Sequence, residues 1–145
     1  AQFNLGLAYA NGVGVPKDPR IAVKWYHMAA EQGDADAQFN LGLMYGNGQG
    51  VLKDYEEAVK WYRKAAEQGD VWAQFGLGVA YASGQGVLKD HVAAYAWYNL
   101  SSYNDEERAK RDTELIAKEM TPEQIAEAKE LSKALLRQIE ANKKK

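Results

Sequence analysis

Ala37-Gln38-Phe39-Asn40-Leu41-Gly42-Leu43 decides the fold of this chain, because near-copies of it stand at residues 1–7 and 73–79. The copies begin at residues 1, 37 and 73, so the chain repeats with a period of 36 residues. A unit of this length forms one supersecondary element that cannot bury its own apolar face and must stack on its neighbours. The sequence therefore predicts a solenoid, an architecture that usually binds and seldom catalyses.

Each unit predicts two helices, and the first helix carries a glycine in its middle. In the first unit this helix covers residues 1–10 and has apolar residues on two faces, so it needs neighbours on two sides. Glycine inside a helix costs about 1 kcal/mol relative to alanine, yet Gly6, Gly42 and Gly78 recur at one repeat position. We interpret these glycines as the points where a facing helix approaches too closely for a side chain.

A glycine turn joins the two helices of each unit. The turn at residues 11–18 recurs at 47–54 and 83–90, with glycines placed to end a helix in the left-handed conformation. An aspartate closes each turn and suits the N-cap of the second helix, and a further aspartate can cap the next unit. These capping residues are Asp18, Asp54, Asp90, Asp34 and Asp70. The second helices are predicted to bury alanines and tyrosines, with tryptophans beside them: Ala22, Tyr26, Ala29, Ala58, Tyr62, Ala65, Ala94, Tyr98, Trp25, Trp61 and Trp97.

The period dissolves at residues 101–104, where the other copies have two alanines followed by glutamate and glutamine. We predict repeats at residues 1–36, 37–72 and 73–104 and a C-terminal capping helix pair at 105–145, all in one solenoid domain. The pair begins with a charged helix from about Asp105 to Glu119. A capping box at residues 121–124 starts the second helix. This helix is expected to present Ile125, Ala128, Leu131, Leu135 and Ile139 on one side.

Composition narrows the classes of partner. With 18 basic and 20 acidic residues the net charge is -2, which argues against nucleic acid and anionic membranes as partners. No apolar run approaches the ~18 residues that span a bilayer. Cysteine is absent, which excludes disulfides and thiolate metal sites and is compatible with either a reducing or an oxidising compartment.

The repeated pattern resembles a known family. Ala-x-x-x-Leu-Gly-x-x-Tyr, then Gly-x-Gly-Val-x-x-Asp, then Ala-x-x-Trp-Tyr-x-x-Ala-Ala-Glu-Gln-Gly-Asp is similar to the Sel-1-like repeat, a relative of the tetratricopeptide repeat. The resemblance covers residues 1 to about 104. The third unit departs from it at residues 101–106, which is consistent with termination of the array. Residues 94–100 and 120–125 also resemble the C-terminal end of bacterial members.

The resemblance implies an all-α, right-handed superhelix of helix-turn-helix repeats that acts as a non-catalytic adaptor or scaffold for a protein or peptide. A cysteine-rich branch of the family is reported to bind penicillin-like compounds, but this chain lacks the disulfides of that branch. Two other functions stay open: a hydrolase of the penicillin-binding sort, and a structural spacer that contributes only shape.

The face of the first helices is the candidate peptide-binding surface. In a tetratricopeptide-like superhelix the first helices line the concave side, and asparagine offers both a donor and an acceptor to a peptide backbone. In the alternative, the asparagines only hydrogen-bond neighbouring turns. The residues expected on this face are Phe3, Asn4, Leu7, Asn11, Phe39, Asn40, Leu43, Asn47, Phe75 and Val79.

Other candidate groups indicate little chemistry. The Gly-x-Gly turns follow helices, whereas phosphate loops follow strands. His27 and His91 occupy positions that the repeat does not require, so we expect them at the surface and expect no metal or organic cofactor. Ser101 and Ser102 are expected to pack like the alanines they replace. The tryptophan–tyrosine pairs are expected in the core and the C-terminal lysines in solvent.

The first helix offers an apolar end to the stack. Phe3, Leu5 and Leu7 lie in a helix that no earlier unit covers in this sequence, and exposed apolar surface recruits neighbours. We therefore expect either further repeats upstream or self-association through this N-terminal face.

Overall fold

A computed structural model describes residues 1–102 and 107–144 of the chain. All regular elements of the described residues are helices, in keeping with the all-α prediction. In chain order they are α1 (Gln2–Asn11), α2 (Pro19–Glu31), α3 (Ala35–Asn47), α4 (Tyr55–Glu67), α5 (Val71–Ser83), α6 (His91–Ser102), α7 (Glu107–Ala117) and α8 (Pro122–Lys143).

The helices stack in sequence order, so the predicted solenoid is confirmed. Helices α1 to α6 form three antiparallel pairs, and the second helix of each of the first two pairs also packs against the first helix of the next. Each junction buries a leucine of the repeated heptapeptide: Leu41 and Leu77 have no exposed surface. Because each unit contacts its neighbours, the apolar core runs along the stack as three successive clusters.

The mid-helix glycines lie where the two helices of a unit cross. A Cβ built on Gly42 would lie 2.6 Å from a ring carbon of Tyr62 on α4, a distance that real Cβ atoms do not tolerate. Gly6 has the same relation to Tyr26, and Gly78 to Tyr98. The sequence prediction of a close approach is therefore confirmed, and the approaching group is the tyrosine ring of the second helix.

The turns and caps also follow the prediction. Gly12, Gly48 and Gly84 end their helices in the left-handed conformation, with φ between 66° and 72°. The Asp54 carboxylate accepts a hydrogen bond from the backbone N–H of Glu57 at 3.1 Å, and the other four predicted caps make equivalent bonds. The chain direction is thus reversed at fixed positions in every unit.

Hydrogen bonds of side-chain amides also connect neighbouring units, which the sequence did not predict. Gln38 is almost fully buried in α3 and donates a hydrogen bond to the carbonyl oxygen of Ala30 at 3.0 Å, while its own Oε1 accepts from Gln68 at 2.8 Å. The turn of the second unit also rests on the preceding unit, since a Cβ on Gly50 would meet the Pro19 carbonyl oxygen at 2.5 Å. Side-chain amides and turn glycines therefore fix the stacking alongside the apolar core.

Helices α7 and α8 both pack against α6, and α8 reaches back to α4. The predicted capping box is present: Gln124 N–H donates to Thr121 Oγ1 at 3.1 Å, and Thr121 N–H donates to Gln124 Oε1 at 2.9 Å. The expected start of the charged helix at Asp105 lies outside the described residues, as does Lys145 of the predicted solvated tail. None of the described helices is long and apolar enough to cross a membrane.

The prediction for one face of α8 was partly wrong. Ala128 and Ile139 are buried as expected, but Leu131 is exposed and Ser132 is buried in its place. Ser132 Oγ accepts a hydrogen bond from Asn99 on α6 at 3.2 Å. Each residue turns a helix by about 100°, so Leu131 lies at the edge of the side on which Ala128, Ser132 and Ile139 are buried.

Candidate functional site

Eight of the ten residues predicted to bind a peptide line two grooves, which lie side by side along α3. The first groove lies between repeats 1 and 2 and is bordered by Leu7, Asn11, Asn40, Leu43, Met44 and Asn47. The second groove lies between repeats 2 and 3 and is bordered by Phe39, Leu43, Asn47, Tyr62, Phe75 and Val79. Leu43 and Asn47 belong to both, so α3 forms a wall of each groove.

The two remaining predicted residues lie elsewhere. Phe3 borders a separate cleft near the end of α2, and its ring packs against Tyr26 with 5.8 Å between the ring centroids. Asn4 is exposed and is not among the residues that border either groove. The predicted surface therefore comprises two grooves, and Phe3 and Asn4 lie outside both.

The two grooves are built from the same repeat positions. Each of several residues in the first groove has a counterpart 36 positions later in the second groove. Examples are Leu7 and Leu43, Asn11 and Asn47, and Asn40 and Gly76. Their volumes nevertheless differ, with about 290 Å³ in the first groove and about 380 Å³ in the second. The difference must come from side chains, because the backbone frame is shared.

Four replacements open the second groove. At each of four equivalent positions the second groove has the smaller residue, which removes side-chain volume from the floor and walls. Relative to the first groove, Gly46 replaces Ala10, Gly76 replaces Asn40, Val79 replaces Leu43 and Ala80 replaces Met44. The second groove is consequently the more apolar and the roomier of the two.

One helical turn of α5 differs most from its counterpart in α3. In α3, Asn40 donates a side-chain hydrogen bond to the backbone carbonyl of Asp36 at 2.8 Å. In α5 the same two positions hold Gly76 and Trp72, and Trp72 leaves 57% of its surface exposed at the second groove. The polar pair Asp36 and Asn40 of α3 is thus replaced in α5 by the exposed indole of Trp72 and by Gly76.

The Tyr62 ring forms the floor of the second groove. It is held between the two first helices, since a Cβ on Gly76 would lie 3.3 Å from one of its ring carbons and a Cβ on Gly42 would lie 2.6 Å from another. Phe39 packs against it with 5.9 Å between the ring centroids. Burial raises the pKa of Tyr62 to about 12, so its hydroxyl stays protonated at neutral pH.

Sequence reasoning missed the groove residues that come from turns and from the start of helices. Lys53 and Gln85 come from the turns, Tyr55 begins α4, and Trp72 lies in the first turn of α5. The signal for Trp72 was present in the sequence, because the preceding repeat has Asp36 at that position. For Lys53 and Gln85 no local pattern indicates that the turns border a groove.

The two histidines and Ser101 contact neighbouring polar groups of the helices. His27 lies 3.2 Å from the Glu31 carboxylate, and His91 lies 3.5 Å from that of Glu119. Ser101 is fully buried and donates to the Val71 carbonyl oxygen at 3.2 Å. Within residues 1–102 and 107–144, no group of three or more His, Cys, Asp or Glu could hold a metal ion.

Four of the six residues in the tryptophan–tyrosine pairs are core, as predicted, whereas Trp25 and Tyr62 are only partly buried. Trp61, Trp97, Tyr26 and Tyr98 leave 5% or less of their surfaces exposed. Trp25 is only half-buried. The tryptophans of the second and third units are therefore not available to a ligand, whereas Tyr62 borders the second groove.

Comparison with known proteins identifies relatives of the repeat. The family model described as the Sel1 repeat matches residues 1–34, 35–70 and 73–106. A crystal structure of a Sel1 repeat protein from Oxalobacter formigenes is similar over 79% of this chain, with 46% sequence identity and a TM-score of 0.76. A protective antigen from uropathogenic Escherichia coli strains, which displays an SLR fold, is similar over 95% of this chain, with 33% identity and a TM-score of 0.70.

The chain spans 47% of the length of the first of these structures and 38% of the second. A search of curated proteins finds no match.

Proposed function

The chain belongs to the Sel1 repeat family, and on that premise we propose that its second groove binds an extended segment of a partner protein without catalysing a reaction. Solenoids of this family are generally protein-interaction modules. The observation that carries the proposal is the coordinated loss of side-chain volume at Gly46, Gly76, Val79 and Ala80. Such a change opens a recognition surface on an otherwise unaltered repeat frame.

Exposed aromatic surface at the groove supports binding of a protein side chain. Trp72 is more than half exposed and stands next to Phe75 and Val79 along the same helix. Tryptophan is enriched among the residues that dominate protein–protein affinity, because a large ring buries much apolar area at low entropic cost. A partner side chain that enters the groove would cover this surface.

Shared walls allow a partner segment to extend from the second groove into the first. Asn47 borders both grooves, and Asn11 and Asn40 border the first. Amide side chains can satisfy the backbone N–H and C=O groups of an extended peptide. In this proposal the second groove takes an apolar side chain and the first groove takes polar backbone.

Ser101 and Ser102, which stand where the other repeats have alanine, make structural hydrogen bonds. Ser101 donates to the backbone carbonyl of Val71, and Ser102 donates to that of Asn99 at 2.8 Å. Neither bond involves the histidine that activates a serine nucleophile.

Selection from a phage-displayed library of random dodecapeptides tests the proposed function. Peptides enriched on the immobilised protein are synthesised, and their affinity is measured by isothermal titration calorimetry. The variant Gly76→Asn/Val79→Leu gives the second groove two residues of the first groove, which the repeat frame already accommodates at equivalent positions. Because this variant fills the groove, we expect it to bind the peptides at least about tenfold more weakly than the unaltered protein.

Leu88→Ala is the matched control. Leu88 is 91% exposed on a turn and does not border the second groove, so its removal tests whether any exposed apolar residue affects binding. We expect affinity to be unchanged. A library that yields no enriched peptide, or peptides that bind the filled variant equally well, would overturn the proposed function.

A further inference from the structure

The second groove contains one charged side chain among its described lining residues, and that side chain is Lys53. No described carboxylate lies within 4.0 Å of its ammonium group. The Lys53 Nζ lies 4.9 Å from the centroid of the Tyr55 ring, which also borders the groove. A cation without an acidic partner therefore stands at the margin of an apolar, aromatic groove.

The base of Lys53 is fixed by the turn that carries it. A Cβ built on Gly48 would lie 3.1 Å from the Cβ of Lys53, so the turn packs closely around the start of this side chain. The next residue, Asp54, donates its backbone N–H to the Tyr45 carbonyl oxygen at 2.9 Å and caps α4 with its carboxylate. The adjacent acid is thus occupied by the helix end, and the lysine is presented by an ordered backbone.

A single lysine beside aromatic rings favours one kind of partner chemistry. Polyanions such as nucleic acids are bound through several cations that neutralise successive phosphates, whereas this groove offers one. One ammonium group can pair with one carboxylate, and Trp72, Phe75 and Tyr62 can cover a neighbouring apolar side chain. The two features lie in one groove, so a partner has to supply both groups close together.

We propose, on the basis of the proposed function, that the partner segment is acidic and apolar: a bulky apolar side chain enters the second groove, and a neighbouring aspartate or glutamate pairs with Lys53. The lysine selects the sign of the charge next to the anchor. Trp72 and Phe75 supply the apolar contact. The groove then discriminates between segments that have the same anchor but different flanking charge.

Parallel selections with the dodecapeptide library test this inference on three proteins: the unaltered chain, Lys53→Glu and Lys89→Glu. Lys89 occupies the equivalent turn position one repeat later and does not border the second groove, so it is the matched control for net charge. We expect the unaltered chain and Lys89→Glu to enrich an apolar residue next to aspartate or glutamate. Lys53→Glu should enrich lysine or arginine at that place instead.

Direct titration gives the size of the effect. An acidic peptide from the selection should bind Lys53→Glu at least about tenfold more weakly, and its lysine-substituted counterpart should bind this variant more tightly than the unaltered chain. Enrichment of apolar peptides without an acidic preference, or an unchanged preference on Lys53→Glu, would overturn the inference and leave the proposed function standing. A reversal on Lys89→Glu as well would also overturn it, because the preference would then follow net charge and not the groove.

Discussion

The first and second grooves are two versions of one structure that differ in the side chains at equivalent repeat positions. Each groove is bounded by two successive first helices and a tyrosine of the intervening second helix, Tyr26 in one and Tyr62 in the other. The first groove is narrowed by Asn40 and Met44, whereas the second is opened by the smaller residues at the same positions. Smaller side chains open the second groove, while the helix crossings that hold the frame are retained.

The exchange leaves the buried frame intact for a physical reason. Gly46, Gly76 and Val79 border a partly open space, so a smaller residue at these positions widens the groove instead of leaving a sealed cavity. The crossing glycines have no such freedom, because the facing ring occupies the place of a Cβ. The comparison therefore separates positions that set the fold from positions that set the groove.

Replacement of a crossing glycine should produce the largest effect. Gly42 lies on α3, the helix that borders both grooves, and its missing Cβ is replaced by the Tyr62 ring. Gly42→Leu should lower the free energy of unfolding by about 3 kcal/mol or more, because the helices must separate to admit the side chain. Chemical denaturation measures the change.

Gly46→Ala is the control for that substitution, on the same helix. A Cβ on Gly46 would make only ordinary contacts, the nearest at 3.6 Å from the Tyr62 hydroxyl. Alanine is the better helix former, so we expect this variant to change the free energy of unfolding by no more than about 1 kcal/mol. Similar denaturation midpoints for the two variants would contradict the division between frame and groove positions.

Exchanging the residues at one pair of equivalent positions should give an intermediate effect. Met44 is 93% buried between the first two units, counted from its 7% exposure, so Met44→Ala should cost about 2–4 kcal/mol of unfolding free energy. Ala80 is also buried, with 6% exposure, but it borders the second groove, so Ala80→Met has some open space to enter and should cost about 1 kcal/mol, less than Met44→Ala. If Ala80→Met destabilises as much as Met44→Ala, the second groove has no room to spare.

The smallest effect should be a difference in alkaline titration between the two groove tyrosines. Burial raises the pKa of Tyr62 from 10.0 to about 12, and it raises the pKa of Tyr26 as well. As the pH rises, the tyrosines of the unfolded chain lose their protons before the buried ones do, and this favours unfolding. The free energy of unfolding is therefore unaffected by these tyrosines below pH 10 and declines as the pH rises to about 12. Tyr62→Phe should flatten the decline of the unfolding free energy across this window.

Tyr26→Phe provides the comparison for that titration. Both variants keep the ring that fills the crossing, so they change the titration without removing the packing. We expect Tyr62→Phe to flatten the curve more than Tyr26→Phe when unfolding is followed by circular dichroism at a series of pH values. An equal slope in all three proteins would show that other groups govern alkaline unfolding.

Much of the fold could be predicted from the sequence because its rules are local and repeated. Asp54 caps a helix through an N–H three residues away, and Gly48 ends one by its own backbone conformation. Leu131 was misplaced because it lies at the edge of the buried side of α8, where Ser132 is buried instead and accepts a hydrogen bond from Asn99, a residue distant in sequence. Periodicity alone identifies an apolar stripe but does not fix its edges.

The candidate site was predictable in part. The argument from the first helices selected eight residues that border the grooves, and simple comparison of the repeats at a spacing of 36 residues would also have revealed Trp72 and Gly76. Comparison of the repeats could not have selected Lys53, because a turn faces a groove only when the units stack at a particular angle. Its role in binding stays a prediction that the selections described above decide.

The sequence by itself determined the period, the turns, the caps and the positions of the helix crossings, since each depends on residues within one unit. Recurrence in all three units already marked Gly42 as a crossing, whereas only the tertiary structure assigned a place to Gly46, a glycine of the same helix that does not recur. The first is closed by the Tyr62 ring, and the second borders an open groove. The physical reason is that the sequence shows where a side chain is missing, whereas residues of other helices determine whether that space is filled or open.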